Sequence, residues 1–93
     1  MNDLEISKAL ALAIGWPQAA VYGMLGCMVS KGTGWKSFDY RDWNVIGPIA
    51  EKFECFPEKY NEGWYAAVGY RKAVLENTPQ RAIAMAVIQG AKK

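Results

Sequence analysis

The chain contains no histidine. That removes every arrangement in which an imidazole moves the proton for a serine or cysteine nucleophile. The closest carboxylate pairs are Asp39 with Asp42 and Glu51 with Glu54. The first pair reads as helix capping and the second as solvated helix surface. A metal centre needs three or four clustered ligands, and the carboxylates are scattered, so no metal and no cofactor is expected. Gly32-Thr33-Gly34 lacks the spacing, the terminal Lys-Ser/Thr and the following helix of a phosphate-binding loop. The side chains that remain for chemistry point to binding, and no catalytic residue is assigned.

Aromatic residues interleaved with cations are the more informative pattern. Trp35-Lys36 and Tyr40-Arg41 flank a short connection, and Tyr70-Arg71-Lys72 forms a second group. Aromatic faces stack on bases, and Arg or Lys neutralises phosphate. Trp35, Tyr40, Tyr70 or Trp16 would stack, and Lys36, Arg41, Arg71 or Lys72 would meet phosphate. The plainer alternative places the aromatics in the core and the cations in water. Thr78 caps the last predicted helix, whose first N–H groups suit an anion. Arg81 sits in the first turn of that helix, against the helix dipole, and its expected partner is a carboxylate.

Five elements must position these groups. A helix is expected over Asp3–Ile14, with Asn2 or Asp3 as cap, Glu5 completing a capping box and Gly15 ending it. The apolar run Ala19–Val29, interrupted by Gly23 and Gly26, should bend or bulge and pair with a strand over Trp35–Phe38. A second helix is expected over Asp42–Phe53, with Pro48 either near its first turn or kinking it. A second hairpin would use a short strand at Glu54–Pro57, a turn at Glu58–Gly63 and a strand at Trp64–Tyr70, with Ala73-Val74-Leu75 as an extension or a further strand. Thr78-Pro79 opens a helix over Pro79–Gln89 that Gly90 should end. Ala82, Ile83, Ala86 and Val87 are its expected buried side. The order α-ββ-α-ββ-α predicts an α+β fold, a small antiparallel sheet with helices packed on it.

With 93 residues, residues 1–93 form one domain, too short for a deep private active site. Function at a subunit boundary, and hence a homo-oligomer, is the expectation. The net charge of +2 and the pI of 8.6 are too mild for a nucleic-acid-binding surface, yet they permit a local anion site. Cys27 and Cys55 form no metal or disulfide pattern and read as buried free thiols. The opening Met1-Asn2-Asp3 lacks the basic start of a secretory leader. The run Ala19–Val29 is shorter than the ~20 residues that span a bilayer. A cytoplasmic protein without a membrane segment is expected.

Several segments together resemble a known family. They are Asp42-Trp43-Asn44 followed by Gly47-Pro48-Ile49, then Gly63-Trp64-Tyr65, then Thr78-Pro79-Gln80-Arg81-Ala82, with Asn2-Asp3-Leu4-Glu5 opening the chain. The set is similar to the phage and prophage α-β-α sandwich domain family, small accessory proteins like those of the lambdoid nin region. The resemblance covers most of the chain and is weakest between Val21 and Lys36. It implies a non-essential phage protein acting in the host cytoplasm, and it carries over no catalytic residues. Small phage proteins of this sort include oligomeric sponges that sequester cyclic nucleotide immune signals.

The expected function is therefore non-enzymatic capture of a small anionic, cyclic nucleotide, with Trp35, Lys36, Tyr40, Arg41, Tyr70, Arg71, Lys72 and Thr78 as candidate ligand-binding residues. The alternative is an inhibitor or adaptor that docks on a host protein through exposed Trp and Tyr side chains. An enzyme that degrades a nucleotide ranks last, because histidine and metal motifs are missing.

Overall fold

Both ends of the first helix, α1 (Asp3–Ala13), are closed by local hydrogen bonds. At its start, the Asn2 side chain accepts from the Glu5 N–H at 2.8 Å, and the Glu5 carboxylate accepts from the Asn2 N–H at 3.0 Å. At its end, Gly15 adopts φ 110°. The Gly15 N–H donates to the Leu12 carbonyl and the Trp16 N–H to the Ala11 carbonyl, the paired bonds of a Schellman motif. The computed structural model describes residues 2–23, 26–30, 32, 34–69 and 72–91. The second helix, α2 (Trp43–Lys52), is capped by Asp42, whose carboxylate accepts from the Asn44 N–H at 2.9 Å. Pro48 lies inside it. The third, α3 (Pro79–Ala91), opens with the Thr78 hydroxyl accepting from the Arg81 N–H at 3.2 Å.

The strands are short. A meander of β1 (Val21–Gly23), β2 (Cys27–Ser30) and β3 (Trp35–Ser37) forms one antiparallel sheet. A second meander, β4 (Glu58–Tyr60), β5 (Gly63–Ala66) and β6 (Val74–Glu76), forms the other. The α+β class and the alternation of helices with strand groups are as expected. The strands, however, divide into two sheets where one was expected. The helices explain the division: α1 packs on the first sheet, and α3 packs on β5 and β6, while α1 and α3 pack on each other and α2 packs beside α3. The helical layer thus lies between the sheets, and the molecule extends 41 Å along its longest axis.

Three boundaries move for identifiable reasons. The run Ala19–Val29 is a short 3-10 turn, Gln18–Ala20, followed by β1 and β2 with Gly26 in a bend. The strand expected at Glu54–Pro57 is displaced to Glu58–Tyr60, inside the expected turn. The cause is a second Schellman motif. Glu54 takes φ 51°, its N–H donates to the Glu51 carbonyl, and the Cys55 N–H donates to the Ala50 carbonyl. The turn shrinks to two residues, Asn61 and Glu62, between the paired Tyr60 and Gly63, with Asn61 at φ 54°, as tight hairpins demand. Gly90 does not end α3, which continues to Ala91. A Cβ at Gly90 would stand 3.4 Å from the Cβ of Val68, so the helix is still closely packed there. The late strand ends at Ala66, and residues 67–69 leave it with Gly69 at φ 61°, short of the expected end at Tyr70, which lies outside the described residues.

The core centres on α3. Ala82, Ile83, Ala84, Ala86, Val87 and Ile88 are all buried, two more than the expected face. A helix apolar on more than one side is sandwiched, and the alanines let α1 and the second sheet approach closely. Ile6, Leu10, Ile46, Ile83 and Cys55 are the largest side chains wholly removed from water. Both cysteines are free and buried. Among the described residues, no helix is long and apolar enough to cross a membrane.

Two outcomes follow from these features. Glu54 holds a left-handed conformation that costs a residue with a Cβ about 1–2 kcal/mol. Glu54→Gly should therefore stabilise the fold by about 1 kcal/mol and raise Tm by about 4–8 °C in a thermal melt. An unchanged or lower Tm would contradict that account. Burial pushes the Cys55 thiol up to about 11, so little thiolate forms at mildly alkaline pH. Cys55 should react with a thiol reagent only as fast as the fold opens, and reaction in the native protein at a free-thiol rate would refute this.

Candidate functional site

A polar cleft of about 470 Å³ lies at the start of α3, lined by Asp3, Tyr40, Arg41, Asn77, Thr78, Gln80 and Arg81. It brings together Tyr40, Arg41 and Thr78 from the sequence-derived set. The first turn of α1 and the connection from β3 to α2 meet there. Because Asn2 takes the capping role, the carboxylate of Asp3 is left to reach across. The Tyr40 hydroxyl donates to it at 2.5 Å, and Arg41 Nη1 donates to it at 3.2 Å. Burial, then the hydrogen bond to Asp3, pushes the Tyr40 phenol up to about 12. The Tyr40 backbone N–H donates to the Ser7 hydroxyl at 3.1 Å inside the core.

This cleft is neutralised from within. Arg41 donates through Nε and Nη2 to Asp39 at 3.0 and 2.8 Å, so Asp39 titrates below its ordinary range, chiefly through that hydrogen bond. Arg81 donates through Nε to Glu76 at 2.8 Å, the carboxylate partner that its position against the helix dipole called for. Its Nη1 stands 3.9 Å from Asp3. Two guanidinium groups face three carboxylates. Tyr40 is 2% exposed, so its ring faces are covered by protein, and only its hydroxyl opens on the cleft. The cluster joins α1 to the connection before α2 and to α3. It has little positive field to offer a phosphate.

A second groove, also about 470 Å³, has a different character. Ile14 and Trp16 from the end of α1, Val29 and Phe38 from the first sheet and its exit, and Val45, Pro48 and Ile49 from α2 give it apolar walls. Lys36, Ser37, Asp42 and Asn44 supply the polar margin. The Schellman turn at Gly15 brings Trp16 to this groove, where it stands half-buried. Lys36 pairs across the sheet with buried Val29 and so faces the same side. Among the described residues, Lys36 enters no ion pair. The Asp42 carboxylate is tied to the Asn44 N–H, at a helix start whose N–H groups carry partial positive charge. A mostly apolar concavity with a few convergent polar groups is the usual form of a small-molecule site.

The remaining candidates are dispersed. Trp35 precedes Lys36 on β3, and alternation sends it to the opposite face. There its ring centroid is 5.9 Å from that of Tyr22, beside Met28. Lys72 is exposed ahead of β6. Tyr70 and Arg71 lie outside the described residues. Sequence pattern alone does not mark Ser7, Asn44 and Pro48 as site residues. Ser7 shares a stripe with Leu10 and Ile14 at helical spacing, a polar residue on an apolar face. Pro48, a proline within a helical pattern, carried a signal of the same kind. No protein-family model matches the chain, and no curated protein matches it.

The Asp39–Arg41 pair makes a pH dependence that can be checked. A carboxylate held below its ordinary pKa adds stability above that ordinary value, 3.8 here. The contribution is lost as pH falls through the lowered folded value. Arg41→Ala should therefore be less stable than the parent in urea at neutral pH, and the two curves should converge in strong acid. A gap that persists unchanged in strong acid would assign the effect to packing of the Arg41 stem.

Proposed function

We propose that the protein is a non-catalytic binder of a small anionic nucleotide, with the base in the groove between α1, the first sheet and α2 and the phosphate at Lys36. The observation that carries this assignment is an apolar, partly aromatic groove beside an exposed lysine that enters no ion pair among the described residues. Trp16 offers its half-buried ring to a base, and the lysine ammonium meets phosphate as a point charge. In a phage accessory protein, which the sequence resembles, capture of a cyclic nucleotide would withhold that signal from host defence.

Docking on a host protein is a second function that a separate feature favours. Tyr22 and Trp35 are 49% and 50% exposed and touch one another, and paired exposed aromatics are typical anchors of protein interfaces.

Native mass spectrometry of the purified protein with a panel of cyclic and linear nucleotides decides between them. A nucleotide should bind and return at unchanged mass on heating, and the same spectra report any homo-oligomer. Lys36→Ala should weaken binding by about ten- to a hundredfold, the range of a hydrogen bond to a charged group, without lowering Tm. Trp35→Ala should leave binding unchanged. Release at altered mass would mean catalysis. Absence of any bound nucleotide would move the function to the Tyr22–Trp35 face.

A further inference from the structure

We propose that Pro48 makes the groove selective for a base bearing an exocyclic amine, by leaving the backbone carbonyl of Asn44 free to accept from that amine. The inference rests on the nucleotide function assigned to the same groove. In an α-helix each carbonyl accepts from the N–H four residues later. Pro48 stands four residues after Asn44 within the continuous helix Trp43–Lys52, and proline has no N–H to give. The Asn44 carbonyl therefore lacks its helical partner. The proline ring also crowds the carbonyl four residues earlier, which weakens the helical ladder there.

Asn44 and Pro48, one helical turn apart and so on one face of α2, both line the groove, which sets that carbonyl on the groove side. The helix persists in spite of the proline because Ile46, Ile49 and Ala50 anchor it in the core. Proline in a helix interior is among the costliest local choices, and such a break with local preference is expected where function compensates it. An unpaired carbonyl discriminates by chemistry. Adenine, cytosine and guanine carry an exocyclic amine that donates, whereas uracil carries a carbonyl oxygen in the place of cytosine's amine. A site built to pair a polar group rejects the analogue that lacks it.

Isothermal titration of the full chain with cyclic AMP and with cyclic purine-riboside monophosphate, which lacks only the exocyclic amine, tests the inference. Cyclic AMP should bind about tenfold more tightly, the factor that one hydrogen bond of ordinary net strength supplies. Pro48→Ala, which restores the N–H, should raise Tm and abolish that preference. Asn44→Ala, which keeps the carbonyl, should retain it, and Lys36→Ala should weaken both ligands equally. Equal binding of the two ligands by the parent protein would overturn the inference while leaving the nucleotide function standing. A preference that survives Pro48→Ala and disappears in Asn44→Ala would overturn it in favour of the Asn44 side chain. Failure of both ligands to bind, with a nucleotide whose base lacks an exocyclic amine bound in the mass spectra, would overturn it while leaving the nucleotide function standing. Failure of every nucleotide would remove the function and the inference together.

Discussion

A helix that must be buried on more than one side sets the constraint from which the rest of the architecture follows. Along α3, Ala82, Ala84 and Ala86 are interleaved with Ile83, Val87 and Ile88, and all six side chains are withdrawn from water. One helix flank is covered by α1 and another by β5 and β6. Neither partner alone would bury it. Truncating a core residue such as Ile83 to alanine costs about 2–5 kcal/mol, whereas an exposed ion pair contributes about 0–1 kcal/mol. The apolar contacts of α3 therefore decide the stability, and the ion pairs of Asp3, Arg41 and Arg81 decide geometry more than energy.

That geometry matters because the groove lies away from α3. Its walls come from the end of α1, the first sheet and α2, which are tied together near the polar cluster. The Ser7 hydroxyl receives the Tyr40 N–H, and Asp3 receives the Tyr40 hydroxyl and Arg41. These bonds hold the connection that carries Phe38 out of the sheet and Asp42 into α2. The same bonds tie together the elements that carry the groove walls. Lys36, outside the cluster, keeps its charge for the solvent-facing side.

The parts legible in the sequence were those written in local chemistry. Asn2 and Glu5, Gly15, Asp42 and Thr78-Pro79 announced helix ends that the structure places within a residue. Cys27 and Cys55 read correctly as buried thiols, and Arg81 as a cation in need of a carboxylate. Long-range partition was not legible. Nothing local to β3 or β5 says that each belongs to a separate sheet, since that choice depends on which helix each face covers. The Schellman turn at Glu54 was hidden because a glutamate occupies the position where glycine is the usual signal. For the site, residue type alone grouped Tyr40 with Trp35. Burial separates them, because the tyrosine hydroxyl found Asp3 and the ring followed it into the core. Lys36 and Trp16 were named on composition, but their meeting across one groove depends on the sheet alternation and on the turn at Gly15.

Dividing the strands between two meanders leaves β1, β3, β4 and β6 as the sheet edges, each three residues long. An edge that short presents few unpaired amide and carbonyl groups on which another chain could add a strand. The exposed Trp35 and Leu75 both ride on such edges. Fibrillar self-assembly by edge-to-edge extension is thus checked by strand length, and the protein can display large apolar side chains at the extremities of its sheets without templating aggregation.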